Sequence, residues 1–369
     1  MSALSPPSPY PQAKAEAVAG AAGAMVAPVR WPAVVPGSST GFGALREAGP
    51  TVRKAGPISM KRLELFRLAA PKDSGAHRYP GTVTDVLPPA PAPLPTTLAE
   101  ASEAGRTLIM GIINVTPDSF SDGGRWDTTD LAVAHGRQLR AQGADLLDVG
   151  GESTRPGAAR ITPATEQERI IPVVRALAAS GAAVSVDTVH AATAEAAVGA
   201  GAVIVNDVSG GLADPAMHRV VADTGVVYIC QHWRGDPGTM DRLTDYSALG
   251  GVVDGVETEL RERLDELDAA GADLRQVVID PGLGFAKTHA QSWRLLTATE
   301  RLRVDLGLPV LIGSSRKRFL AAAVPGSAAA DPIARDAATA ATTALAALAG
   351  AWAVRVHEVP ANRDAVRTA

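Results

Sequence analysis

The sequence predicts an α/β protein, a (β/α)8 TIM barrel preceded by a largely disordered Pro/Ala-rich N-terminal extension, and three observations predict it. Short apolar runs of strand length alternate with helix-type segments eight times between residues 106 and 369. Alternation of this kind means right-handed βαβ units and a parallel sheet, and eight units in this length fit a closed barrel better than an open one. Nearly every run ends in a polar or charged residue, whereas the starts of the runs show no such series. Neither a GxGxxG fingerprint nor a GxxxxGK[ST] loop is present to argue for a Rossmann or P-loop sheet.

The predicted strands are Leu108–Ile113, Asp145–Val149, Ala183–Val186, Val203–Val205, Val226–Ile229, Val277–Ile279, Pro309–Ile312 and Ala353–Val356. Each is an apolar run bounded by turn residues, as expected of a strand covered on both faces. The predicted helices are Leu131–Gln142, Glu166–Ala179, Thr193–Gly199, Pro215–Ala222, Gly251–Ala270, Ser292–Leu306 and Ala334–Ala349. Thr165, with Glu168 three residues on, has the form of a helix start. The chain ends soon after the last run, so the eighth helix is expected to be short.

Residues 1–105 have a different character. Sixteen of the 27 prolines precede Ala101, clustered at Pro6–Pro11 and Pro88–Pro95. Such sequence buries too little apolar surface to offset the entropy lost on ordering, so 1–105 is expected to be a disordered, low-complexity extension and 106–369 the catalytic barrel. Charge is split in the same way. The first hundred residues carry 10 Lys/Arg and 6 Asp/Glu, the rest 25 and 33, a net charge of −8. A net-acidic globular part argues against nucleic acid as a partner. No apolar stretch is long enough for a membrane span, and the Ala-rich run near Ala17–Val29 lacks the form of a signal peptide. Cys230 is the sole cysteine, which excludes an internal disulfide and points to a reducing, cytoplasmic compartment; the thiol itself is expected to be inert packing.

In a barrel, functional groups gather at the C-terminal ends of the strands. Those ends carry Asn114; Asp148, with Glu152, Thr154 and Arg155 following; Asp187; Asn206 and Asp207; Gln231 and His232; Asp280; Ser314 to Lys317; and Arg355 with His357. Two of the three asparagines, Asn114 and Asn206, are among them. From residue 101 onward there are 23 Arg but two Lys, Lys287 and Lys317, both after strands at this rim. An ammonium is a compact point charge that a guanidinium fork does not replace.

The rim is expected to divide by charge. Asp187, Asn206 and Asp280 suit a flat heterocycle rich in N–H donors, such as a pterin. Arg155, Arg355 and His357, with Asn114, form a separate basic group suited to a phosphate or diphosphate. The Asn114 oxygen suits a hard cation such as Mg²⁺, which takes much of its coordination from phosphate and water. Loops with Gly123–Gly124 and Pro156–Gly157 are placed to fold over the mouth. Arg316 and Arg318 are expected on a solvated face, and His135, His190, His218 and His289 in no special role. The sequence has no structural-zinc spacing and no GxSxG elbow.

Seven motifs in order carry a family resemblance: NVTPDSFSDGG (114–124), DVGGESTRPGA (148–158), SVDT (185–188), NDVSGG (206–211), DPGLGFAK (280–287), GSSRKRF (313–319) and RVH (355–357). On these the chain resembles the dihydropteroate synthases over essentially all of 107–369. The resemblance implies a homodimeric barrel enzyme of folate biosynthesis. Its members join 6-hydroxymethyl-7,8-dihydropterin diphosphate to 4-aminobenzoate with Mg²⁺, and sulfonamides compete for the aminobenzoate position. It implies that Asp187, Asn206, Asp280 and Lys317 hold the pterin, with Gln231 on its face where the family commonly has Met. Asn114, Arg155, Arg355 and His357 would hold the diphosphate and, through Asn114, the metal. Thr154, Arg155, Pro156, Phe120 and Asp122 would form the aminobenzoate pocket, with Phe285, Lys287 and Lys317 beside it. Catalysis would fall to Asp187, Asp280, Lys317 and Arg155, by positioning and electrostatics.

Overall fold

The computed structural model describes residues 106–116, 128–152, 161–236, 238–326 and 330–369. The expected extension, 1–105, lies outside the described residues, and so do the two loop segments 117–127 and 153–160.

Strands and helices alternate along the described chain: β1 (Leu108–Asn114), α1 (Thr128–Gln142), β2 (Leu146–Gly150), α2 (Pro163–Ala179), β3 (Ala183–Asp187), α3 (Ala191–Gly199) and β4 (Ile204–Asp207). Then follow α4 (Met217–Thr224), β5 (Val227–Gln231), α5 (Val252–Ala269), β6 (Val277–Asp280), α6 (His289–Thr297), α7 (Thr299–Leu306), β7 (Leu311–Ile312), α8 (Asp336–Leu348), β8 (Ala353–Val356) and α9 (Val359–Thr368). The strands form one parallel sheet in the order β6-β5-β4-β3-β2-β1-β8-β7. It closes where Val310 bridges Ile279 and the Ile279 amide donates to Pro309 O at 2.9 Å. The expected (β/α)8 barrel is the observed one.

Side chains on a strand alternate between its faces, and the two buried clusters follow that parity. Leu108, Met110, Leu146, Ile204, Val227, Ile229, Val278, Leu311 and Ala353 pack together inside the barrel. The residues between them (Ile109, Leu147, Val205, Tyr228, Ile279 and Val354) pack in the other cluster, with the helices. Continuing the inward parity to the strand ends brings Asn114, Asp148, Asp187, Asn206, Gln231, Asp280, Arg355 and His357 to one mouth. Asp207 has the outward parity. There it takes four hydrogen bonds, from Ser209 N and Oγ, Gly211 N and the Tyr228 hydroxyl, at 2.7–2.8 Å. Of the NDVSGG pair, then, Asn206 serves the mouth and Asp207 the loop beneath it.

Four local expectations change. The α2 cap is Thr162, whose Oγ1 accepts from Thr165 N at 3.2 Å, with Pro163 in the first turn, where its missing N–H costs nothing. The expected helix Ser292–Leu306 is two helices, breaking at Ala298 (φ −94°, ψ 8°). The run Pro309–Ile312 is divided between neighbours: its first half serves β6, and Leu311 and Ile312 pair with β8. The final helix, expected to be short, extends for 10 residues.

Candidate active site at the C-terminal mouth of the barrel

The acidic side of the mouth is built around Arg355. Its Nε donates to Asp148 Oδ2 at 2.5 Å and its Nη2 to Asp187 Oδ2 at 2.7 Å. The same Asp148 oxygen accepts from Asn206 Nδ2 at 3.0 Å. Close approach of β2 and β3 helps set this up: a Cβ at Gly150 would stand 3.3 Å from the Asp187 Cβ. A fully buried carboxylate and a largely buried one therefore share one guanidinium. Burial, reinforced by the Asp148 charge, pushes Asp187 up to about 7 against the pull of Arg355. Burial works against the Arg355 charge, but Asp148 and Asp187 outweigh it and hold Arg355 above its ordinary value.

This corrects the expected division of the rim. Arg355, expected among the basic residues, is salt-bridged to the acidic side through Asp148 and Asp187. Parity explains why, since Arg355, Asp148 and Asp187 all point into a barrel only a few strands wide. Asp148, assigned no role from the sequence, is the residue that joins Asn206 to Arg355. Its burial between two other rim residues is invisible without the pairing of β1 with β2 and β8.

On the opposite side stand Asp280, Lys287 and Lys317. Asp280 Oδ1 accepts from Gly282 N at 2.7 Å, and burial raises its carboxyl while Lys317 opposes the rise. Lys317 Nζ donates to Leu283 O at 2.5 Å and lies 4.6 Å from the centre of the Phe285 ring, within cation–π range. Burial lowers the Lys317 amine to about 8, with Asp280 pulling the other way. The turn that delivers Lys317 passes through Arg316 at φ 58°, a left-handed conformation that a side-chain-bearing residue keeps only where its surroundings fix it. Asp336 supplies that fixing, accepting from Arg316 Nε and Nη2 at 2.7 and 2.8 Å. Arg316 is thus a structural clamp between the β7 loop and α8, not part of a solvated face. Arg318 is exposed, as expected, with Asp241 opposite it at 3.2 Å.

Lys287 is buried, and its amine is taken up by partners in its own loop and on the segment after β5. It donates to Phe285 O and to His232 Nδ1, both at 2.9 Å. Burial lowers it to about 7, with Asp280 opposing. Gln231 is buried on β5, and its Nε2 donates to Val208 O at 3.2 Å. Asn114 ends β1 in register with Gly150. His357 lies beside the β7 loop, its Nδ1 2.9 Å from Ser315 Oγ. Phe120, Asp122, Thr154, Arg155 and Pro156 lie outside the described residues.

His190 stands 4.0 Å from Glu152, and His218 contacts Gly210 O at 3.0 Å, so both are tied into loops near the rim. Cys230 faces outward into the helix layer, where burial pushes its thiol well up. Among the described residues no three His, Cys, Asp or Glu side chains converge to hold a metal ion. The donor chemistry still fits Mg²⁺, because that ion commonly takes one or two protein oxygens and completes its shell with substrate phosphates and water. Asn114, which ends β1 at the mouth, would be its one neutral oxygen donor from the protein.

A family model described as pterin binding enzyme matches residues 110–357. The dihydropteroate synthase of Mycobacterium leprae is 51% identical over 263 residues, 70% of this chain and 91% of that protein. The solved structure of the Xanthomonas albilineans dihydropteroate synthase with 4-aminobenzoic acid is 43% identical, with a TM-score of 0.65. The match covers 71% of this chain and 92% of that one. The Yersinia pestis dihydropteroate synthase, in a sulfonamide drug complex, is 35% identical over 71% of this chain and 93% of that one, with a TM-score of 0.65.

Proposed function

The chain belongs to the dihydropteroate synthases of the pterin-binding enzyme family, and from that premise we propose that it joins 6-hydroxymethyl-7,8-dihydropterin diphosphate to 4-aminobenzoate, releasing diphosphate. The observation that carries this reading is the convergence of Asp187, Asn206, Asp280, Lys317 and Arg355 at one mouth, with Asp187, Arg355 and Asn206 linked through Asp148.

In this reading Asp187, Asn206 and Asp280 accept from or donate to the amino and lactam edges of the pterin, and Lys317 contacts a ring acceptor. Gln231 lies against the ring face. Asn114, Arg155, Arg355 and His357 bind the diphosphate. Asn114 would hold Mg²⁺, which neutralises charge on the leaving diphosphate when bound. The bond from the pterin methylene to the diphosphate oxygen breaks first. Asp187 and Asp280 stabilise the positive charge left on the pterin, the amine nitrogen of 4-aminobenzoate attacks the methylene, and a proton leaves that nitrogen. Phe120, Thr154, Arg155, Pro156, Phe285 and Lys317 enclose the aminobenzoate, with Lys287 behind Phe285. An enzyme nucleophile is not required, so positioning and fixed charge supply the rate.

A homodimer in a cytoplasmic compartment completes the proposal. The exposed apolar side chains of Ile333, Leu345 and Leu348, on and just before α8, support the first; the lone, deeply buried Cys230 is compatible with the second. Among the described residues no helix is long and apolar enough to cross a membrane.

The deciding experiment measures dihydropteroate formation by the full chain from both substrates, with Mg²⁺ and with a chelator. Metal-dependent product is expected. A folded protein that binds the pterin diphosphate yet forms no product would instead favour a pterin-binding methyl-transfer protein on the same barrel.

A further inference from the structure

One carboxylate on the outer helix layer is connected, by two separate routes, to neighbouring carbonyls of the loop between β6 and α6. Along the first route Glu259, on α5, stands with Oε2 at 2.6 Å from His232 Nε2. His232 Nδ1 is 2.9 Å from Lys287 Nζ, which donates to Phe285 O. Burial, with Lys287 alongside, lowers His232 to about 4, so the ring is neutral. Its contacts then assign the tautomer: Nε2–H donates to Glu259, and Nδ1 accepts from Lys287. Along the second route Arg234 Nη2 donates to Glu259 Oε1 at 2.5 Å. The Arg234 guanidinium lies 3.8 Å over the Tyr246 ring, and the Tyr246 hydroxyl donates to Ala286 O at 3.1 Å. Burial alone would raise the Glu259 carboxyl, but hydrogen bonds from His232 and Arg234 hold it down at about 2.

The loop so held is not a relaxed one. Ala286 sits at φ 49°, a left-handed conformation that a residue with a Cβ keeps only where its surroundings impose it. At Gly282 an added Cβ would lie 2.4 Å from His232 O and 3.3 Å from Lys287 Nζ, so the loop is pressed directly on this network. Its other face is the mouth, where the Phe285 ring meets Lys317. The end of the loop nearest β6 is fixed separately, by the bond from Gly282 N to Asp280.

We propose that Glu259 is a positioning residue: through His232–Lys287 and Arg234–Tyr246 it clamps the consecutive carbonyls of Phe285 and Ala286, and so sets the Phe285–Lys317 face that the aminobenzoate ring meets. Glu259 itself does not touch substrate. The identity of the substrate rests on the function proposed above; the clamp does not.

The test uses the full chain with Glu259→Gln, Tyr246→Phe and Lys287→Met, and the double variant Glu259→Gln/Lys287→Met. Two quantities are read: hydrogen exchange of the 282–287 amides, and KM for each substrate. Glu259→Gln is expected to speed exchange in that loop and to raise KM for 4-aminobenzoate about tenfold, the equivalent of one hydrogen bond's net contribution. KM for the pterin diphosphate should hold, because Asp280 anchors its end of the loop independently. Tyr246→Phe, which removes a single hydroxyl, should give the same split in smaller measure and serves if Glu259→Gln does not fold. The double variant should be no worse than Lys287→Met by more than the Tyr246→Phe effect, since both members of the first route act in series. Unchanged exchange in Glu259→Gln and Tyr246→Phe overturns the clamp. Both KM values rising in step overturn its link to the aminobenzoate face. If the unaltered chain forms no dihydropteroate, the function proposed above falls, and hydrogen exchange alone decides the clamp.

Discussion

On the β2, β3 and β8 side of the mouth, Asp148 and Asp187 share the one guanidinium of Arg355; on the β6 and β7 side, Lys287 and Lys317 stand in the field of the one carboxylate of Asp280 without pairing to it directly. Each side is short of a countercharge, and in opposite senses. Burial drives both towards their neutral forms, so Asp187 rises to about 7 while Lys287 falls to about 7 and Lys317 to about 8. The acidic side is thereby suited to a ligand edge rich in N–H donors and the basic side to acceptors and anions. A substrate carrying both kinds of group is the natural complement of the pair.

Removing a charge from either side tests this contrast. The largest effect is expected for Lys317→Ala, with kcat lower by about 10²–10³-fold and an unchanged circular dichroism spectrum, the scale seen when one preorganised electrostatic contact is lost. Normal turnover at saturating substrate would take Lys317 out of the site. On the acidic side, Asp187→Asn should weaken binding of the pterin by about 1–3 kcal/mol, a usual loss for one charge-assisted hydrogen bond. Titration calorimetry giving equal affinity would place the pterin elsewhere.

The same two sides predict stability trends of opposite sign with pH. Asp187 has a folded-state value raised above the ordinary carboxylate range, so its contribution to stability is greatest at low pH and is lost as pH rises towards about 7. Lys287 has a lowered value, so its contribution is greatest above the ordinary lysine range and is lost as pH falls towards about 7. In melting experiments the unaltered protein should therefore lose ground to Asp187→Asn as pH climbs from about 4 to 7. It should lose ground to Lys287→Met as pH drops from about 10 to 7. Parallel melting curves across pH for either pair would show that the group titrates as it does in the unfolded chain. The smallest effect belongs to Gln231→Met, which gives up the bond to Val208 O and should change pterin affinity by no more than about 1 kcal/mol.

Much of the mouth is legible in the sequence. Apolar alternation located all eight strands, and the polar residue ending each named the rim. Period-two parity carries that further, since counting back by twos reaches the inward positions Met110 and Leu108 from Asn114, and the small Ser185 and Ala183 from Asp187. The break at Ala298 was hidden because a periodic apolar face runs through both α6 and α7. The cap at Thr162 was hidden because Thr165, three residues on, carries the same signature.

What the sequence determined by itself is the barrel, the inventory of charges at its mouth and the family, because strand parity and the seven motifs are local properties of consecutive residues. What only the tertiary structure decided is how those charges are partnered. Arg355 lies 207 residues from Asp148 and 168 from Asp187, and Lys287 lies 55 from His232. No local pattern carries those distances. Closing the barrel brings β8 beside β1 and puts β2, β3 and β8 around one mouth, while the fold of the β6 loop turns the Lys287 amine inward. Which carboxylate goes short of a cation, and which ammonium stands beside Phe285 at the mouth, is settled there.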